Sequence, residues 1–153
     1  MLNIGDKAPE FSLLNQNEQT VRLSDYLGKA PLVIYFYPKD DTLGCTAQSC
    51  SFRDNYTSFT RLGAEVIGIS EDGAASHQHF IAKNSLPFPL LSDVGGAVAK
   101  SFGLKKTLGF LPARVTFVLD KHGIVQTVYS SQFNMSKHSE DALAAVERLT
   151  RES

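Results

Sequence analysis

Apolar residues along the chain fall into short unbroken runs that alternate with longer segments where they recur every three or four positions, the mark of strands alternating with amphipathic helices. Residues 32–37 (LVIYFY) are continuously apolar, as in a central strand buried on both faces, and the run stops at Pro38. Residues 65–70 (EVIGIS) predict a second core strand. Residues 11–14 and 20–23 flank a polar stretch at 15–18 and predict an N-terminal hairpin, after which Ser24 and Asp25 cap one short turn before Gly28. Residues 115–119 and 124–129, joined by Asp120, Lys121, His122 and Gly123, predict a second hairpin. Phe52, Tyr56 and Phe59, spaced four then three, mark one face of a helix running from Cys45 to near Gly63. Further helices are expected over 74–84 and around 94–102, and a last one carries Ala142, Leu143, Val146 and Leu149.

The order strand, helix, strand, helix, hairpin, helix predicts an α/β fold, a mixed central sheet flanked by helices on both faces with an N-terminal hairpin. A thioredoxin-like arrangement fits that order best. A length of 153 residues suits one domain over 1–153. Fifteen Lys and Arg against sixteen Asp and Glu leave a net charge of -1, so no cationic field is available to gather phosphate backbones and nucleic acid is not an expected partner. The longest apolar runs fall far short of the roughly 20 residues of a membrane helix. Asp6, Lys7 and Pro9 interrupt any signal-like N-terminus. The expected compartment is cytoplasmic, or organellar if a targeting segment has been removed. The glycines form neither G-x-G-x-x-G nor a phosphate-binding P-loop, and no cofactor is expected; without G-x-S-x-G a serine hydrolase has no basis.

Two cysteines are too few for a secreted disulfide scaffold, which leaves packing, metal ligation or redox chemistry. Cys45 falls just after a strand-to-helix turn, beside unpaired N–H groups and the positive end of the helix dipole, a position that favours the ionised sulfur. It lies about two turns before Phe52 and shares the apolar face; Thr42, three residues earlier, offers a hydroxyl at the helix start. Cys50, rotated by about 140° from Cys45, should face a wetter side. In one regular helix their Cα atoms would be roughly 8.6 Å apart, beyond the roughly 4.4–6.8 Å of a disulfide, so a bond between them would unwind helix. No metal is expected. His77 and His79, about 200° apart on a helix, cannot chelate one ion from it. His122 reads as a turn residue and His138 as a surface helix residue.

The run Pro38-Lys39-Asp40-Asp41-Thr42-Leu43-Gly44-Cys45 matches the P-x-x-x-T-x-x-C signature of peroxiredoxins. The continuation Thr46-Ala47-Gln48-Ser49-Cys50-Ser51-Phe52-Arg53-Asp54 resembles the peroxiredoxin Q, or bacterioferritin comigratory protein, group. Similarity extends from residues 5–11 through 63–70 and 90–93 to 114–120. The resemblance implies that Cys45 attacks a peroxide, that Cys50 resolves the sulfenic acid as an internal disulfide, and that Thr42 and Arg114 complete a pocket shielded by Pro38. It also implies a thiol-dependent peroxidase acting on hydrogen peroxide and organic hydroperoxides, a dithiol reductant such as thioredoxin as partner, a role in antioxidant defence, and a monomer. Leu43 stands where the family usually has Pro, which predicts a looser loop. Phe36, Phe110 and Leu111 are candidate pocket linings. Two rival readings lack their motifs: a dithiol reductase needs C-x-x-C, and a copper carrier of this fold needs C-x-x-x-C.

Overall fold

The computed structural model describes residues 1–106 and 112–152. β3 (Leu32–Phe36) is buried at every position because its alternating side chains enter two different cores. Val33 and Tyr35, with Tyr37 just beyond, join one core; Leu32, Ile34 and Phe36 join the other. β4 (Glu65–Ser70) lies parallel to β3, and β5 (Leu90–Ser92) lies parallel to β4. On the other side of β3, β6 (Val115–Leu119) runs antiparallel and turns back as β7 (Val125–Ser130), the expected second hairpin. The N-terminal hairpin, β1 (Ser12–Asn15) and β2 (Thr20–Arg22), joins the sheet through antiparallel pairing of β1 with β5. The result is a seven-stranded mixed sheet in the order β2-β1-β5-β4-β3-β6-β7.

The β3-to-β4 crossover carries α1 (Leu43–Asp54) and α2 (Tyr56–Arg61), and the β4-to-β5 crossover carries α3 (Ala74–Asn84). Successive right-handed crossovers in one direction place their helices on one face. Phe52, Phe59 and Phe80 from these helices meet Ala142 and Val146 of α5 (Met135–Glu152) in one core. The opposite face is covered by Ala8, Phe11, Leu23 and Phe102, the last just after α4 (Ala97–Ser101). The two sheet edges are unlike each other. β2 is only three residues long. On β7 the Gln126 carbonyl accepts a hydrogen bond from Arg148 of α5 at 3.4 Å.

Two helices differ from expectation. The helix predicted from Cys45 to near Gly63 is broken at Asn55, whose side-chain amide donates to Ser51 O at 3.0 Å and to the Ser139 hydroxyl at 3.3 Å. A short amide side chain competing for backbone acceptors is a local helix terminator. The helix expected from Val94 begins only at Ala97, because Gly95 and Gly96 hold left-handed backbone (φ 85° and 76°) and Asp93 caps the N–H groups of Val98 and Ala99 at 3.0 and 2.9 Å.

His138 is fully buried, not a surface helix residue. It lies one turn before Ala142 and extends the inward stripe of α5. Its Nε2 donates to Ser131 O at 2.9 Å, and its Nδ1 pairs with the Thr116 hydroxyl at 2.8 Å. Burial pushes its imidazole below the ordinary histidine range; the hydrogen bond to Ser131 opposes that shift and the Arg114 charge reinforces it. As pH falls, the unfolded chain takes up this proton before the folded one does, so folding stability declines below about pH 6.5. Urea unfolding at a series of pH values should show a shallower decline in His138→Gln than in the wild type. Parallel declines would contradict this assignment.

Candidate active site

β3 delivers the chain to the half-buried Pro38, and residues 38–42 turn from the sheet into α1. Thr42 is the residue at the start of α1, with extended backbone (φ -86°, ψ 154°), and its carbonyl accepts the Thr46 N–H at 2.8 Å. Its hydroxyl does not cap the helix but donates to Lys39 O at 3.0 Å. Cys45, in the first turn, has no exposed surface. Its Sγ accepts the Lys39 N–H at 3.5 Å. The peptide groups of Lys39 therefore meet two side chains of this turn, one donor for the Cys45 sulfur and one acceptor for Thr42.

Arg114 reaches this site through strand pairing. Val115 lies opposite Phe36 in the β3–β6 register, so the residue before Val115 falls beside the end of β3, where the turn into α1 begins. Arg114 is 6% exposed, and its Nη1 donates to Gln48 Oε1 at 2.6 Å. Gln48 is fully buried one turn along α1 from Cys45. Arg114 Nε and Gln48 Nε2 are buried without a hydrogen-bond partner among the described residues. Buried donors of this kind are available to an incoming oxygen. Gly44 permits the approach of the guanidinium: a Cβ there would lie 3.1 Å from Arg114 Nη2 and 2.9 Å from Met135 Cε.

Cys50 is half-buried on another side of α1, with its thiol 3.8 Å from Asn84 Oδ1. Both cysteines are free thiols on one α-helix, the arrangement for which regular geometry separates the two Cα atoms by roughly 8.6 Å. Between them Ser49 is hydrogen-bonded to the Tyr35 hydroxyl at 2.9 Å, within the core. Burial holds the Tyr35 phenol far above its ordinary range, so it stays protonated beside Ser49.

The structure brings Pro38, Thr42, Cys45 and Arg114 to one end of β3 and places Cys50 on the same helix as Cys45. Phe36 does not join them; its ring faces the opposite core, 5.2 Å from Phe102 and 6.0 Å from Phe117. Phe110 and Leu111 lie outside the described residues. Leu43 opens α1 and is 93% exposed. Gln48 was not singled out by the sequence, although a glutamine three residues after Cys45 lies on the same helix face and was its one available signal.

Comparison with known proteins agrees with this geometry. The AhpC/TSA family model matches residues 4–128. Peroxiredoxin Q, chloroplastic, of Oryza sativa subsp. japonica is 51% identical over 146 residues, covering 95% of this chain and 67% of that protein. The crystal structure of Peroxidoxin BcpB from Mycobacterium tuberculosis superposes with a TM-score of 0.90 at 38% identity, covering 97% of this chain and 99% of that one. The Xanthomonas campestris bacterioferritin comigratory protein, whose structures are described for its alkyl peroxide reduction activity, gives a TM-score of 0.84 at 31% identity over 92% of each chain. The fold is thioredoxin-like. With its thiol at the strand-to-helix turn and these relatives along nearly its whole length, the chain belongs to the AhpC/TSA family, in its peroxiredoxin Q branch, and is a thiol-dependent peroxidase.

Proposed function

We propose that Cys45 is the attacking thiol and Cys50 the resolving one. The observation that carries this reading is the placement of Cys45 Sγ on the Lys39 N–H, in the first turn of the helix that also carries Cys50. The Cys45 thiolate attacks one peroxide oxygen, the O–O bond breaks, and the departing oxygen takes the negative charge and then a proton. Arg114 and the free Gln48 N–H stabilise that charge. The Thr42 hydroxyl, whose proton is given to Lys39 O, retains lone pairs that accept the peroxide hydrogen and align the O–O axis.

The product is a sulfenic acid on Cys45. Condensation with the Cys50 thiol forms the disulfide and releases water. Helix geometry forbids this bond while α1 is intact, so the segment between the cysteines unwinds, breaking the Gln48–Arg114 and Ser49–Tyr35 hydrogen bonds. An external dithiol such as thioredoxin then attacks the disulfide, restores both thiols and leaves as its own disulfide.

The test is the intact mass and thiol count after one equivalent of hydrogen peroxide. The wild type should lose both thiols with a fall of about 2 Da, whereas Cys50→Ser should gain about 16 Da and form no internal disulfide. An undiminished disulfide yield in Cys50→Ser would remove Cys50 from the mechanism. A second variant probes the guanidinium: Gly44→Ala should slow Cys45 oxidation by about tenfold, because Met135 yields to the new methyl but Arg114, held by Gln48, is displaced. A stopped-flow rate equal to wild type would show that Arg114 is not needed at that place.

Organic hydroperoxides as well as hydrogen peroxide are the proposed substrates, supported by the alkyl peroxide activity described for the X. campestris relative and by an apolar rim, where Met135 lies against the start of α1 next to the exposed Leu43. The working form is proposed to be a monomer, which light scattering of the reduced and oxidised protein checks. The plant relatives are named chloroplastic, which supports the organellar alternative to a cytoplasmic location.

A further inference from the structure

Asp40 lies in the turn that leads to Cys45, yet it is 4% exposed and its carboxylate is met by three polar side chains. The Tyr37 hydroxyl donates to Oδ1 at 2.6 Å, the Ser76 hydroxyl to Oδ2 at 2.8 Å, and His77 Nδ1 lies 2.7 Å from Oδ2. His77 is fully buried, and its Nε2 lies 3.0 Å from Leu91 O, so the ring is held at both nitrogens. Burial holds the Tyr37 phenol well above its ordinary range, which keeps it a donor. The Asp40 N–H in turn donates to Asp72 at 2.9 Å, and Asp72 accepts the Ser70 hydroxyl at 2.7 Å. No step of the peroxide reaction uses any of these groups.

What the network fixes is the backbone next to Lys39, whose N–H meets Cys45 Sγ and whose carbonyl meets Thr42. Asp41, which follows, sits at φ 62°, a region that side-chain-bearing residues adopt sparingly and that the surroundings must hold. α3 supplies that hold at its first turn, through Ser76 and His77. Two turns later, on the same helix face, Asn84 meets Cys50 through its side chain and accepts a hydrogen bond from Arg53 Nη1 on its carbonyl at 2.8 Å. One helix thus grips the chain on both sides of the segment that must unwind.

We propose that Asp40 and His77 are positioning residues: they set the Lys39 peptide for peroxide attack at Cys45 and, by tying the 38–41 turn to α3, oppose the unwinding that carries Cys50 to the sulfenic acid. This rests on the assignment of Cys45 and Cys50 above. The clamp favours the first chemical step and restrains the second, so loosening it moves the two rates in opposite directions. A residue that matters only for packing would not do so.

Rapid-quench mass spectrometry separates the steps. Oxidation of Cys45 is followed in a Cys50→Ser background, and disulfide formation with Cys50 present. His77→Gln keeps a group near the position of Nε2 but none at Nδ1; it should oxidise about tenfold more slowly and close the disulfide several-fold faster. His77→Asn keeps a donor near Nδ1 for Asp40 and should recover most of the oxidation rate. Ser76→Ala, which removes one of the three side-chain partners of Asp40, should show the same pair of changes on a smaller scale and serves in place of His77→Gln if that variant does not fold. Equal losses in His77→Gln and His77→Asn, or two rates that fall together, would overturn the clamp while leaving the two-cysteine cycle intact. A wild type that forms no internal disulfide would overturn both.

Discussion

Replacing Arg114 with leucine is expected to slow oxidation of Cys45 by about 10²–10³-fold, the loss found when one donor to a developing oxyanion is removed, equivalent to about 2.7–4 kcal/mol. The magnitude follows from where the guanidinium sits. It is almost wholly buried and its observed side-chain partner is the neutral Gln48, so among the described residues no carboxylate pairs with its charge. At so buried a position such a charge acts at short range and low screening. Arg114→Lys should fall between wild type and leucine, because an ammonium keeps the charge but cannot hold Gln48 and the departing oxygen in one plane. Stopped-flow or competition kinetics with hydrogen peroxide measure both variants. A loss smaller than about tenfold in Arg114→Leu would mean that the Gln48 N–H carries the stabilisation without the guanidinium.

The second large effect is on stability. Phe52 is fully buried in α1, stacked on Tyr35 at 4.5 Å with ring planes 15° apart, and 6.1 Å from the ring of Phe59. Phe52→Ala should cost about 3–5 kcal/mol through lost apolar burial and the cavity left behind. It also removes the anchor two residues beyond Cys50, so the unwound form of α1 becomes more populated and disulfide closure faster. Denaturant unfolding of the reduced protein measures the first effect. A cost below about 1 kcal/mol would show that the aromatic cluster closes over the gap.

The strands were legible because β3, β4 and β6 are buried at nearly every position and rich in apolar, β-branched residues, and α3 because it fills a helix-length segment between two such strands. Cys45, Thr42 and Pro38 were legible because they lie within eight residues of one another in a recognisable spacing. Asn55 hid within a good helical period, since the break depends on Ser139 of α5, a partner that local periodicity does not reveal. His138 was misplaced for a related reason: one polar residue ahead of an apolar stripe looks exposed until Thr116 and Ser131 appear beside it. Asp40 reads locally as one residue of a polar bend, and His77 as half of a failed metal pair. Their meeting depends on α3 crossing the sheet, and a pairing that exists only through the tertiary fold has no signature in local sequence.

The edges of the sheet bear on how such an enzyme survives its own cycle. Each turnover is proposed to unravel the helix that carries Phe52 and packs over Tyr35, the kind of opening that elsewhere seeds fibrils when it coincides with a free strand. Here one border is a strand too short to template a long ladder, and on the other Arg148 occupies a main-chain carbonyl that a foreign strand would need. Opening of the helical layer therefore coincides with sheet borders that are short on one side and partly occupied on the other, which narrows the surface offered for β-zippering.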